Sequence, residues 1–308
     1  MNLRGWAILV RLPNLPTPLA DVGLGACACL AAGIQVPLWA LIAACLATLG
    51  FYAGGMVLND WCDRSEDALS RPDRPIPAGQ ISAVSALLAG CAMLAFGCCM
   101  ALGIDWLPGK KALSGPIGFA LAGMILLYDS WAKQTLLGPL VMGSCRALNV
   151  LFGATVGNWG PESDWWLLFL PAAISGLYIC GVTWFARTEE KTSDKSQLRL
   201  ASLVIVVALA MAVLMPVLAD STLPWSSRVL PAWCLMVFLL WILVPRIVLA
   251  NRQPVPSRVQ SAVGWMIAAY IPLQACQAAG LAGAWGWCML PLLALVLWLR
   301  RWRWLKPT

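Results

Sequence analysis

Asn59, Asp60, Asp63 and Asp67 lie in the string VLNDWCDRSEDALSRPDRPIPAGQIS, directly after a long apolar run. On a helix they fall at roughly 0°, 100°, 40° and 80°, so they share one face. Three carboxylates and an amide on one face repel one another unless something positive sits among them. An oxygen-preferring divalent cation such as Mg²⁺, which bridges carboxylates to substrate phosphates, suits that face. The plain alternative is a solvated helix end, a description that suits Arg64 and Glu66. A second string, FARTEEKTSDKSQL, sets Glu190 and Asp194 roughly 40° apart, with Arg187 on the same side and Glu189 turned away. This ExxxD pair makes a second candidate metal site. Between the two, in RPDRPIPAGQ, Arg71 and Arg74 have the forked geometry that binds diphosphate oxygens in pairs. They equally suit a loop held at lipid headgroups. The chain has no His, so chemistry falls to carboxylates, Lys, Arg, Tyr or a hard metal held by oxygens.

The elements that must position these residues are membrane helices. Of 308 residues, 60% are hydrophobic and 11% charged, against about 25% charged in soluble domains. That excludes a water-soluble body, and disorder as well. Apolar stretches at 16–34, 36–58, 81–103, 112–128, 136–156, 164–185, 198–218, 229–249, 258–282 and 284–300 approach the ~20 residues a spanning helix needs. The expectation is an all-α, polytopic transmembrane bundle of nine or ten spans, one domain over 1–308. No cleavable signal is expected, since the apolar part of the N-terminus is short and broken by prolines. With the N-terminus inside and ten spans, only Lys110, Lys111 and Arg228 among the loop Lys and Arg fall outside. The positive-inside rule therefore places the N-terminus and the motif loops, 59–80 and 186–197, in the cytoplasm, with a bacterial inner membrane as the expected setting. The net charge of +7 is scattered over short loops, which argues against nucleic acid as a partner. Twelve Cys, most in apolar runs and none in a CxxC pair, read as buried, reduced thiols. The 18 Trp read mainly as interfacial belts.

NDWCDRSED matches the NDxxDxxxD signature of the UbiA superfamily of intramembrane prenyltransferases at all four fixed positions. RPDRPIPAGQIS, RLPNLPTPLADVGLG and LLYDSWAKQTLLGPLVMGSCRALNVLFG also resemble that family, from Arg11 to the loop around Asp194. The resemblance implies a helical bundle with a central cavity capped on the cytoplasmic side. It implies Mg²⁺-dependent transfer of a prenyl group from an isoprenyl diphosphate to a small-molecule or lipid acceptor, with diphosphate released. Asn59, Asp60, Asp63, Asp67, Glu190 and Asp194 would then hold the metal, with Asp63, Asp67 and Lys133 as catalytic residues. Arg11, Asn14, Arg71, Arg74, Lys133 and Arg187 would meet the diphosphate. Tyr128, Arg146 and Asn149 would be the polar groups of the cavity, an ionisable residue inside a span being functional by default.

Each of these assignments has a bland counterpart. Lys133 can instead pair with Asp129 at i, i+4, and Arg11 and Asn14 can simply anchor the chain at the membrane. Asp21, inside the first span, is an acid whose partner the sequence does not name. The second motif departs from the family, which has two aspartates where this chain has ARTEEKTSD. TWFARTEE resembles UbiA-like proteins of ebo-type gene clusters in bacteria and algae. The departure leaves open a non-catalytic carrier of a prenylated precursor, or a membrane terpene cyclase. The acceptor, the donor chain length and the oligomeric state are not legible.

Overall fold

A computed structural model describes residues 2–106, 112–187, 195–219 and 224–302. The regular elements in it are all helical: α1 (Leu3–Leu9), α2 (Thr17–Ala31), α3 (Leu38–Cys62), α4 (Arg64–Ser70), α5 (Ala83–Asp105) and α6 (Ser114–Ser130) come first. They are followed by α7 (Gly138–Ala154), α8 (Trp166–Ala186), α9 (Lys195–Leu218), α10 (Trp225–Arg252), α11 (Pro256–Ala282) and α12 (Leu290–Arg300).

Helices occupy every expected apolar stretch, but length separates them. Among the described residues α3, α5, α8, α9, α10 and the Pro256–Arg300 stretch are long and apolar enough to cross a membrane. The expectation of nine or ten spans counted more, because hydropathy does not see where helices stop. α2 has 15 residues and α6 and α7 have 17 each. Prolines 13, 16 and 18 hold the start of α2 in a 3₁₀ turn, since a proline lacks the N–H that would extend a helix backwards. α6 starts where Asp105 accepts hydrogen bonds from the backbone N–H groups of Ser114 and Gly115, at 2.8 and 2.7 Å.

Neighbours in sequence pack as antiparallel pairs, α3 on α5, α7 on α8 and α10 on α11, while α2 packs on α3, α7, α8 and α11. α2 and α11 are the most enclosed segments, and every residue from Ala268 to Ala282 is buried. The α2–α7 crossing depends on small residues. A Cβ at Gly153 would lie 2.5 Å from the Val22 Cα, and one at Gly25 would run into the Val150 carbonyl. Backbones approach this closely only where side chains are missing. α12 ends where Arg300 donates to Asn14 Oδ1 (3.2 Å) and to the Gly264 carbonyl (3.3 Å), so its last turn lies beside the 3₁₀ turn preceding α2.

Large apolar side chains such as Leu38, Ile42, Phe96, Trp106 and Trp241 are exposed on the outer surface, as a bundle facing lipid requires. All described cysteines are free. Cys27, Cys29, Cys145, Cys180 and Cys276 are buried as expected, whereas Cys91 and Cys99 on α5 face outward. An apolar run does not distinguish the core side of a helix from the lipid side.

Candidate active site

The aspartates of the first motif sit where α3 gives way to α4. The helix breaks at Asp63, yet hydrogen bonds from Asp63 N to Asn59 O (3.0 Å) and from Asp67 N to Asp63 O (2.8 Å) carry the register through. The shared face expected for Asn59, Asp60, Asp63 and Asp67 is thereby kept. Each of the three carboxylates is paired with a cation, one of them shared. Arg74 Nη1 bridges Asp60 Oδ1 (3.3 Å) and Asp67 Oδ2 (2.7 Å), and Arg11 Nη2 stands 3.6 Å from Asp60 Oδ1. Lys133 Nζ pairs with Asp63 rather than with the i, i+4 residue Asp129. Asp129 is taken by Asn59 instead, whose Nδ2 donates to Oδ1 at 2.9 Å.

Two of these positions cost backbone or solvation energy. Arg11 has φ +48°, and it is the one described non-glycine residue with positive φ. That conformation is disfavoured by about 1 kcal/mol or more for a residue with a Cβ. It turns the chain from α1 into the 3₁₀ turn Leu12–Asn14 with the guanidinium over the aspartates. Asp129 Oδ2 is buried with no hydrogen-bond partner among the described residues, which is expensive for a carboxylate oxygen.

Among the described residues no three acidic or sulfur side chains already form a metal cage. The donor set nonetheless suits Mg²⁺: it is all oxygen, from Asn59, Asp60, Asp63 and Asp67, with the unpartnered Asp129 oxygen one hydrogen bond away. Mg²⁺ commonly takes one or two carboxylates and completes its shell with water and phosphate, so a preformed cage is not needed. Glu190 and Asp194 lie outside the described residues. Arg187, just before them, is exposed and donates to the Thr135 carbonyl at 2.9 Å. Arg71 leads the loop after α4, its N–H on the Asp67 carbonyl at 2.7 Å. Asn14, expected at the diphosphate, is held by Arg300.

Two cavities open from this end. One of about 370 Å³ is lined by Tyr128, Lys133, Gln134, Gly138, Pro139, Thr183, Ala186 and Arg187. The other, about 90 Å³, runs inward between α2, α3, α6 and α7, past Tyr128 and Asp129 to Tyr52, Thr48, Arg146 and Asn149. Its far end contains the partner that the sequence did not name for Asp21. The Asp21 carboxylate is fully buried and accepts four hydrogen bonds: from Arg146 (3.0 Å) and Asn149 (2.9 Å) on α7, and from Tyr270 (2.5 Å) and Gln274 (2.6 Å) on α11. Thr48 Oγ1 donates to Asn149 Oδ1 at 2.6 Å, and the Arg146 guanidinium lies 5.8 Å from the Tyr52 ring and 5.1 Å from that of Tyr270. Tyr270 and Gln274 escaped the sequence reading. The available signal was two glutamines, Gln274 and Gln277, inside an apolar stretch.

The UbiA prenyltransferase family model matches residues 22–258. A digeranylgeranylglyceryl phosphate synthase of Methanopyrus kandleri is 33% identical over 256 residues, 77% of this chain and 87% of its own. A 4-hydroxybenzoate octaprenyltransferase of Idiomarina loihiensis is 33% identical over 144 residues, 44% of this chain and 47% of its own. Among solved structures, a UbiA homologue from Aeropyrum pernix superposes with TM-score 0.64 at 16% identity, over 87% of this chain and 97% of that one. A UbiA homologue from Archaeoglobus fulgidus bound to GPP and Mg²⁺ superposes with TM-score 0.61 at 12% identity, over 86% and 99%. A helical membrane bundle with a carboxylate–cation face at the mouth of its cavities thus joins sequence similarity over most of the chain, and the protein belongs to the UbiA prenyltransferase family.

Proposed function

We propose that this prenyltransferase transfers a prenyl group from an isoprenyl diphosphate to a small, cyclic acceptor in an Mg²⁺-dependent reaction at the cytoplasmic end of the bundle. The observation that carries this reading is the exchangeable pairing of Asp60, Asp63 and Asp67 with Arg11, Arg74 and Lys133 at the mouth of two cavities. Cations already held at a carboxylate face can turn to an arriving diphosphate as the carboxylates take up metal. Relatives at the sequence level are named as a digeranylgeranylglyceryl phosphate synthase and a 4-hydroxybenzoate octaprenyltransferase, and the Archaeoglobus fulgidus homologue carries GPP with Mg²⁺.

In this reading Asn59, Asp60, Asp63 and Asp67 would hold Mg²⁺, with Glu190 and Asp194 of the second motif as further ligands. The ion supplies neutralisation of the leaving diphosphate, which is the dominant requirement when a C–O bond ionises. Lys133 and Arg187, both on the wall of the 370 Å³ cavity, orient the diphosphate, with Arg11, Arg71 and Arg74 behind them. Tyr128 lines both cavities and stands where donor and acceptor meet. The apolar wall of the inner cavity, Phe51, Leu121 and Ile125 among others, keeps water from the allylic cation. The loop charges support a cytoplasmic N-terminus and motif face in a bacterial inner membrane. The return of α12 to the side of Asn14 supports an even number of crossings, ten in one domain.

The test is diphosphate release by the purified protein given geranyl, farnesyl or geranylgeranyl diphosphate with Mg²⁺ and a panel of ring acceptors. Release should require Mg²⁺ and be lost in Asp63→Ala and Glu190→Ala, with a product mass equal to acceptor plus prenyl. Donor binding without turnover across that panel would instead indicate a carrier, and a prenyl hydrocarbon product with no acceptor consumed would indicate a cyclase.

A further inference from the structure

The inner cavity ends in charges that already cancel. Arg146 is paired with Asp21 at 3.0 Å, and the Asp21 side chain has no exposure at all while that of Arg146 keeps 16%. The carboxylate is saturated, because each of its oxygens accepts two hydrogen bonds. The guanidinium is not saturated. Arg carries five N–H donors and no acceptor, and the hydrogen bonds of Arg146 go to Asp21 and to Thr17 Oγ1 (3.1 Å). The remaining donors belong to a side chain that lines the cavity. Asn149 cannot compete for a ligand there, since its amide nitrogen serves Asp21 and the Pro18 carbonyl and its oxygen accepts from Thr48. Arg146 is therefore a fixed donor at the end of an otherwise mainly apolar space.

A hydrocarbon tail gains nothing from such an end and would strip water from the donors without replacing it. The occupant that fits is the acceptor. Tyr52, beside Arg146, precedes Asn59 by seven residues on α3, which is about 10 Å along a helix. A molecule resting on Arg146 therefore reaches the metal-binding face with roughly the length of one ring and its substituents.

Charge then narrows its chemistry. The Asp21–Arg146 pair is neutral, and Asp129 adds a carboxylate to the opposite end of the same cavity. An acceptor with a carboxylate would bring in an uncompensated buried negative charge, which low-dielectric surroundings penalise heavily. A carbonyl oxygen takes the same hydrogen bond without that charge. We infer that Arg146, held by Asp21, selects an acceptor whose non-reacting end bears a neutral carbonyl-type oxygen, in preference to a carboxylate. The inference rests on the prenyl-transfer reading of the site and adds the acceptor class to it.

Two probes of nearly equal shape test it: 4-hydroxyacetophenone, neutral at its carbonyl end, and 4-hydroxybenzoate. Their equilibrium binding is measured at neutral pH on the intact protein in nanodiscs, with Mg²⁺ and the unreactive donor geranyl S-thiolodiphosphate. The native protein should bind the ketone about tenfold or more tighter, the scale of a poorly compensated buried charge. Asp21→Asn leaves Arg146 with a net positive charge and should reverse the preference. Asp21→Asn with Arg146→Gln leaves the site neutral but without its charged donor, so it should weaken ketone binding about tenfold without making the benzoate preferred, which decides the matter if the single variant loses its fold, as judged by thiolodiphosphate binding. Native preference for the benzoate, an unchanged ratio in Asp21→Asn, or undiminished ketone binding in the double variant overturns the inference. Thiolodiphosphate binding with neither ring bound also overturns it while leaving the prenyl-transfer reading in place. If the native protein does not bind the thiolodiphosphate, that reading falls and the acceptor assignment falls with it.

Discussion

The chain holds two groups of membrane carboxylates in opposite ways. At the motif face, Asp60, Asp63 and Asp67 are gripped by long, flexible cations, with Asp63 still 23% exposed. In the core, Asp21 is enclosed by Arg146, Asn149, Tyr270 and Gln274, three of them neutral and all arriving from packed helices. The first arrangement can be traded for metal and phosphate: the Asp63–Lys133 pair stands near water, where an ion pair is worth little, and the long Arg11 and Arg74 side chains that hold the buried Asp60 and Asp67 can turn to phosphate as metal replaces them. The second cannot be opened without leaving a charge bare in the interior of the bundle. One is adapted to exchange and the other to permanence.

This contrast can be broken most forcefully at the motif face. Asp63→Asn should lower Mg²⁺-dependent diphosphate release on the order of 10³-fold, about 4 kcal/mol in the barrier, while thermal unfolding moves little. A comparable loss of folding stability would erase the distinction. The core should behave conversely. Arg146→Met strands the Asp21 carboxylate and should cost about 3 kcal/mol of stability, read as a lowered unfolding midpoint in detergent even without substrate. Tyr270→Phe removes one of the four donors and should cost about 1.5 kcal/mol by the same measurement. Arg64→Ala marks the lower bound. Its guanidinium stacks 4.3 Å from the Trp61 ring and donates to the Trp61 carbonyl without touching the aspartates, so both activity and stability should stay within about 0.5 kcal/mol.

The same contrast explains what could be read from sequence. The motif face was legible because Asn59, Asp60, Asp63 and Asp67 are local: helical spacing alone sets them on one side, and the helix break at Asp63 keeps the hydrogen-bond register. The core site was only half legible. Arg146 and Asn149 announced themselves as polar residues in a span, but Asp21 meets Tyr270 and Gln274 across about 250 positions of chain. Helical periodicity cannot reveal a contact made by three helices. Lys133 shows the limit within a single motif, since the i, i+4 rule favoured Asp129 and the tertiary fold brought Asp63. The lengths of α2, α6 and α7 were not legible, because apolar composition continues past the prolines and side-chain caps that end a helix.

The bond from Arg300 to Asn14 has a bearing on biogenesis. Asn14 donates its N–H to the Arg11 carbonyl at 2.8 Å, so the final helix braces the turn from which Arg11 reaches the aspartates. α12 follows α3 and α4 by more than 200 positions, so a nascent chain carries its acidic face before this brace exists, and a chain cut short ahead of Arg300 lacks the contact that steadies the turn beside Arg11.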